Sequence, residues 1–195
     1  MTGETGTLGG ETVEATLLEA GIIEPTADGA DHRIAADVRD AFDHEFYRMA
    51  NPNAERERLQ ALLGDAVEAP GRDDESFEAE ETDDGFVLDR GDCRIGRWPS
   101  RLAFRTDLAL AGVLAERIDE WPNLRTDRRG TVLSGARLFL ESCPACSEPL
   151  SVRVSTIETG KNIDDAEDTR EASREVAILA CDDCDDALFV GDQAA

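Results

Sequence analysis

Cys143-Pro-Ala-Cys146 and Cys181-Asp-Asp-Cys184 are the stretches that decide the fold of the C-terminal part of this chain. Two pairs of cysteines at this spacing supply the four thiolates that close a tetrahedron around one metal ion. Tetrahedral thiolate sites suit zinc or iron, and zinc is the ion we expect here. Because four thiolates leave no open coordination position, the pattern predicts a structural zinc ion rather than a catalytic one.

Apolar residues alternate with polar ones on both sides of each cysteine pair. Around the first pair they are Ala136, Leu138 and Leu140, then Leu150, Val152 and Val154. Around the second pair they are Val176, Ile178 and Leu179, then Leu188, Phe189 and Val190. Alternation of this kind is typical of strands, so each pair is predicted to lie in the turn of a hairpin.

Two hairpins that each carry one Cys-x-x-Cys pair resemble the zinc ribbon family, over about residues 135–191. The resemblance implies that Cys143, Cys146, Cys181 and Cys184 bind a single zinc ion. Many ribbons have glycine directly after each pair, whereas Ser147 and Asp185 occupy those positions here. Ribbon functions range from nucleic-acid contact to scaffolding, so the resemblance predicts a fold and a metal but no particular task.

A redox dithiol is the competing interpretation of the first cysteine pair. Dithiols of that kind precede a helix, whereas Pro149 and a strand pattern follow here. Four aspartates beside the second pair would oppose thiolate formation unless a metal ion were bound. We therefore favour the metal site.

The composition is strongly acidic. Among 195 residues, 44 are acidic and 20 basic, which gives a net charge of -24, and Lys161 is the one lysine among the basic residues. Whole-chain composition resembles that of proteins from halophilic archaea. In molar salt the Debye length falls to about 3 Å, so self-repulsion is screened and the acidic surface is interpreted as an adaptation to salt.

The expected location is the cytoplasm. No basic segment precedes an apolar stretch at the N-terminus, and the longest apolar run, residues 108–115, is far shorter than a membrane span. Five cysteines, four of them at metal-binding spacing, fit a reducing compartment better than a disulfide framework.

The predicted fold class is α+β. Apolar residues at helical spacing predict helices near Val13, after Asp31 and after Pro52, which together would form an N-terminal three-helix unit. A buried core helix is predicted from an N-cap at Thr106 or Asp107, after a short strand at 102–104.

The predicted organisation has five segments. They are a disordered lead at 1–10, a helical unit at 11–70, an acidic linker at 71–84, a mixed strand and helix unit at 85–134, and a zinc ribbon at 135–191.

An arginine cluster interrupts the acidic chain. It consists of Arg90, Arg94, Arg97, Arg101 and Arg105, with Trp98 among them, and only one acidic residue lies in this interval. Guanidinium groups and an indole ring can bind an anion or nucleic acid. The alternative, which we favour, is that these arginines pair with the protein's own carboxylates.

The sequence carries no nucleophile motif, no phosphate-binding glycine loop and no mixed carboxylate and histidine metal motif, so nothing in it indicates an enzyme. The preferred prediction is a non-catalytic, zinc-stabilised module that binds another macromolecule, with a protein as the expected partner. Nucleic-acid binding or a transcription-associated role through the arginine cluster is the second prediction, and an enzyme with a site not visible in the sequence is the third. A helix-turn-helix is not favoured, because residues 1–70 hold 15 acids and 5 arginines, a net charge of -10.

Overall fold

The computed structural model describes residues 7–8, 11–64, 77–83, 85–158 and 173–192, which form an α+β fold. The helices are α1 (Val13–Glu19), α2 (Ala36–Arg48), α3 (Pro52–Leu63), α4 (Arg101–Arg117) and α5 (Thr126–Arg137). The strands are β1 (Thr7–Leu8), β2 (Glu11–Thr12), β3 (Ile23–Pro25), β4 (His32–Ile34), β5 (Phe77–Thr82), β6 (Gly85–Arg90), β7 (Cys93–Trp98), β8 (Leu150–Glu158), β9 (Ser173–Cys181) and β10 (Ala187–Asp192). Most of the predicted lead at 1–10 and most of the acidic stretch between β8 and β9 lie outside the described residues.

Helix α4 lies at the centre of the molecule. Between Leu102 and Leu114 nearly all of its residues are buried. It packs against α2, α3 and α5 and also against β10, because a helix that is apolar on all sides needs cover on all sides. One continuous core of buried side chains extends from Leu17 to Leu188. A helix of the length and apolar character needed to cross a bilayer does not occur in the part of the chain that the structure describes.

Helix α4 begins at Arg101, before the predicted N-cap at Thr106 or Asp107. Ser100 is the N-cap, and its Oγ accepts a hydrogen bond from the backbone N–H of Ala103 at 3.1 Å. The strand predicted at 102–104 is therefore wrong, because a serine in front of an apolar run satisfies a free N–H group of the first turn and starts a helix.

The three predicted N-terminal helices occur, but their apolar faces are covered mainly by other helices. Helices α2 and α3 pack on α4, and α1 packs on α5. A hairpin of β3 and β4, with Ile23 opposite Ile34, separates α1 from α2, so α2 begins at Ala36 rather than just after Asp31. A separate three-helix unit is not confirmed.

Part of the predicted acidic linker at 71–84 is a strand. Its described residues include β5, which pairs antiparallel with β6 so that Phe77 lies opposite Arg90. The acidic side chains of β5 remain exposed while its backbone is paired. Residues 71–76 and 84 lie outside the described residues.

The C-terminal sheet has the strand order β10-β9-β8, and all of its pairs are antiparallel. The second predicted hairpin is present, with Cys181 at the end of β9 and Cys184 in the turn before β10. The strand predicted from Ala136 is wrong, because Ala136 and Arg137 extend the buried face of α5. The first cysteine pair consequently lies between a helix and a strand, where Ser142 and Pro149 form an isolated bridge.

We expect Ser100 to contribute more to stability than an ordinary helix cap. Its hydroxyl accepts from Ala103 and also donates to the carbonyl oxygen of Ala187 in β10 at 2.7 Å. Ser100→Ala removes both hydrogen bonds and should lower the free energy of unfolding by about 1–2 kcal/mol. Equilibrium denaturation in molar salt measures the change. Ser100→Thr, which keeps the hydroxyl, is the matched control, and an alanine variant as stable as the wild type would contradict this role.

Candidate metal centre

The four cysteines predicted to bind metal meet in one cluster. All four Sγ atoms lie within 4.8 Å of one another. The Cys143 and Cys184 Sγ atoms are 4.0 Å apart, and those of Cys146 and Cys181 are 3.5 Å apart. A tetrahedron of sulfur atoms with metal–sulfur bonds of about 2.3 Å has edges of about 3.8 Å, so the cluster has the size that a bound metal ion requires.

Two similar turns present the cysteines. In the first, the Cys143 N–H donates to the Glu148 carbonyl at 2.7 Å, and in the second, the Cys181 N–H donates to the Asp186 carbonyl at 3.1 Å. The residue after each pair has a left-handed backbone, with φ of 67° at Ser147 and 55° at Asp185. The two positions where many ribbons have glycine therefore adopt the conformation that glycine favours, although neither is glycine.

The cluster is part of the core. Cys143 and Cys181 are fully buried, and Cys146 and Cys184 pack against the buried residues around them. Burial raises the pKa of the Cys143 thiol, whereas the backbone N–H of Cys184 lowers the pKa of Cys181. Hydrogen bonding with Cys146 raises the pKa of the Cys184 thiol.

Without a metal ion the thiols would therefore lose their protons at different pH values. A cation bound among the sulfurs would stabilise all four in the thiolate form. The cluster can hold a metal ion, and its four protein ligands would leave no position for a substrate.

The arginines of the cluster do not all have the same partner. Arg94 Nε pairs with Asp89 Oδ1 at 2.7 Å. Arg101 and Arg105 both reach the carboxylate of Glu55, at 3.4 Å and 3.9 Å. The reason is the secondary structure, since the cluster spans two strands and the first turns of α4. These contacts are the ones that pairing with the protein's own carboxylates predicts.

Several of the same side chains also lie against aromatic rings. The guanidinium groups of Arg90, Arg101 and Arg105 lie over the rings of Phe77, Phe86 and Phe46, at 5.7 Å, 5.4 Å and 5.1 Å from the ring centres. The Trp98 indole N–H donates to Asp107, and its ring packs edge-on against Phe104 at 4.9 Å. Trp98 thus packs against the core, and the exposed Arg97 lines a cavity that opens to solvent.

That cavity has a volume of about 950 Å³ and lies between α1, α3, α5, β7 and β10. A buried ion pair lines it, with Asp107 Oδ1 and Arg137 Nε 3.0 Å apart. Burial raises the pKa of Asp107, and the charge of Arg137 opposes that shift.

Sequence reasoning missed both residues of this pair. It interpreted Asp107 as a possible helix cap and Arg137 as an outward-facing strand residue. The available signal was a lone carboxylate within the apolar run that forms α4.

The fold and the site define a class of α+β proteins with a closed four-cysteine cluster and a cavity lined by a buried ion pair. The chain belongs to the sequence family described as family of unknown function (DUF8054), central domain, which matches residues 12–138. That match includes Asp107 and Arg137 and ends before the four cysteines, and no zinc ribbon family matches the chain. No curated protein and no solved structure matches it.

The left-handed residues after each cysteine pair lead to a prediction. A left-handed backbone costs a non-glycine residue about 1–2 kcal/mol, and replacement by glycine removes this strain. Glycine also has more conformational freedom in the unfolded chain, so the net gain in stability is smaller than the strain that is removed. Ser147→Gly should therefore raise the free energy of unfolding of the metal-loaded protein by about 0.5–1 kcal/mol. Glu148→Gly, at an exposed neighbour without positive φ, should lower it. Thermal or chemical unfolding of both variants measures the contrast, and a loss of stability in both would contradict the argument.

Proposed function

We propose that the chain is a non-catalytic, zinc-stabilised protein-binding module that works in a salt-rich cytoplasm. Zinc holds the end of α5 and the C-terminal sheet together, and an apolar edge of that sheet binds a segment of another protein. The acidic, arginine-based composition supports the salt-rich setting.

The choice of zinc rests on the chemistry of the ligands. Four thiolates at the corners of a tetrahedron suit zinc, which has no geometric preference of its own and no redox activity. Burial of Cys143 and Cys181 supports a structural role, since a buried site shields the ion from exchange with solvent.

Metal content tests this assignment. Protein purified without chelator should contain one zinc ion per chain by elemental analysis, and Cys181→Ser should reduce that content at least tenfold. Cys93→Ser is the matched control, because Cys93 lies in β7 away from the cluster. Iron in place of zinc would correct the ion, whereas unchanged metal content in Cys181→Ser would contradict the site.

The observation that carries the protein-binding proposal is the exposed edge of the C-terminal sheet. Antiparallel pairing aligns Val152 with Leu179 and Phe189 on one face of the three strands. Leu179 is buried against the core, whereas Val152 is 71% exposed and Val154 is 54% exposed. On β10 and β9 this face of the sheet packs against the core. On β8 the same face is not covered to a comparable degree by the described residues.

Apolar residues on an edge strand support binding by strand addition, in which a partner segment extends the sheet. High salt screens surface charges and strengthens the burial of apolar groups, so valine contacts would supply most of the affinity. The exposed acids Glu148, Asp182 and Asp183 at the cysteine end of β8 favour a partner with lysine or arginine beside its apolar residues. The proposed occupant is therefore an extended, apolar segment of another protein with flanking basic residues.

The docking surface can be tested directly. A photo-crosslinking residue at position 152 should capture a defined partner peptide in a halophilic host lysed at native salt. A double variant, Val152→Asp with Val154→Asp, should reduce the affinity of the purified partner at least tenfold. Tyr47→Ser is the control, because Tyr47 is 82% exposed on α2, away from the sheet.

Three outcomes would contradict the docking proposal. Affinity that is unchanged in the double variant would exclude the β8 edge. A captured segment that is a second copy of this chain would replace the partner by self-association. Partners lost after nuclease treatment, together with recovered nucleic acid, would favour the arginine cluster as the binding site instead.

A further inference from the structure

The central cavity is the strongest feature that the proposed protein-binding role does not use. Its volume of about 950 Å³ is at the upper end of the range for sites that take small molecules. Its walls are largely apolar and include Leu59, Leu63, Ile95, Leu133, Phe139 and Phe189.

The buried charged groups of the cavity form one network. The side chains of Asp107 and Arg137 are each only 6% exposed. Trp98 Nε1 donates to Asp107 Oδ2 at 2.8 Å, and Arg137 Nη1 donates to the Leu188 carbonyl. Asp107 Oδ1 and Arg137 Nε face each other at 3.0 Å, but neither atom has a hydrogen bond with good geometry among the described residues. The network therefore places a neutral, buried ion pair at the wall of the apolar cavity, and its two facing atoms have no further hydrogen-bond partner among the described residues, which is unusual for buried charged atoms.

The mouth of the cavity lies between the first turns of α1 and α5. The residues that line the mouth are exposed, and they are Thr12, Glu14, Thr126, Asp127 and Gly130. A side chain added at Gly130 would meet no other atom within 4 Å of its Cβ, so this position has open space.

We propose that the cavity binds a neutral small molecule with an apolar body and one uncharged polar head, such as a carboxamide or a hydroxyl. The apolar body contacts the leucine and phenylalanine walls, and the head lies beside Asp107 and Arg137. A charged head would fit less well, because the ion pair is already neutral and a third buried charge would lose its hydration without gaining a counterion. The guanidinium of Arg97 also lines the cavity, but Glu14 and Asp127 at the mouth and the net charge of -24 oppose the entry of anions.

A matched series of probes tests the class of ligand. The probes are 2-naphthamide, 2-naphthoate and 2-naphthylmethylammonium, which share one apolar body and differ in the charge of the head. Isothermal titration of the full chain in molar potassium chloride should show one site for the amide, with at least tenfold tighter binding than either charged analogue. Equal binding of all three, or binding of none, would overturn the proposal.

Two variants locate the binding. Gly130→Trp places a large ring at the mouth and should weaken amide binding at least tenfold, while Tyr47→Trp adds the same ring on α2 and serves as control. Asp107→Asn keeps an acceptor for Trp98 but leaves Arg137 without its counterion, so the preference should shift at least tenfold toward 2-naphthoate. If Asp107→Asn does not fold, the Gly130→Trp comparison still decides, and amide binding that survives Gly130→Trp would exclude this cavity.

This inference is independent of the docking surface. Val152 and Val154 do not line the cavity, so the double aspartate variant should bind 2-naphthamide as the wild type does. Failure of one proposal therefore leaves the other intact.

Discussion

The buried pair of Asp107 and Arg137 is the constraint on which most of the remaining structure depends. Asp107 lies in the middle of the first half of α4 and Arg137 at the last turn of α5. Trp98 at the end of β7 donates to the carboxylate, and the guanidinium donates to a carbonyl of β10. A buried charge without its partner costs several kcal/mol. The four elements α4, α5, β7 and β10 therefore have to meet at this ion pair. The crossing of α4 and α5 and the positions of two strands are thereby specified by one interaction.

The cysteine cluster constrains two of the same elements, α5 and β10. Cys143 follows the C-terminus of α5 by six residues, and the second turn leads directly into β10. A metal ion between the turns would fix the distance between α5 and β10 that the bond from Arg137 to the Leu188 carbonyl also fixes. The two polar centres therefore reinforce each other, and loss of either would loosen the attachment of the C-terminal sheet to α4 and α5.

Local chemistry made part of this structure predictable from the sequence. The cysteine spacing predicted the thiol cluster, and the apolar stripes predicted α3 and the presence of a buried core helix. The start of α4 was misjudged because Ser100 was not recognised as a cap. Helix α5 was not predicted, because the apolar residues from Ala136 onward alternate in twos as they do in a strand. The Asp107 and Arg137 pair joins residues 30 positions apart, and periodicity within one element contains no information about such a partner. The partners of the arginine cluster were equally hidden from the sequence, since its members belong to β6, β7 and α4 and contact residues far away in the chain, such as Glu55.

The preference for arginine over lysine has a structural consequence. Arg129 is buried and donates to the carbonyls of Trp121, Leu62 and Pro122 at 3.2 Å, 2.6 Å and 2.9 Å, which satisfies the ends of two helical segments at once. Arg137 similarly divides its donors between a carboxylate and a carbonyl. A lysine ammonium is a compact charge that is hydrated strongly, and it cannot span such separated acceptors. Exposed ion pairs such as Arg125 with Asp127 contribute little to stability, and less in molar salt, so the buried arginines matter more for the structure. Arginine therefore satisfies buried carbonyl groups that a lysine at the same position would leave without a donor.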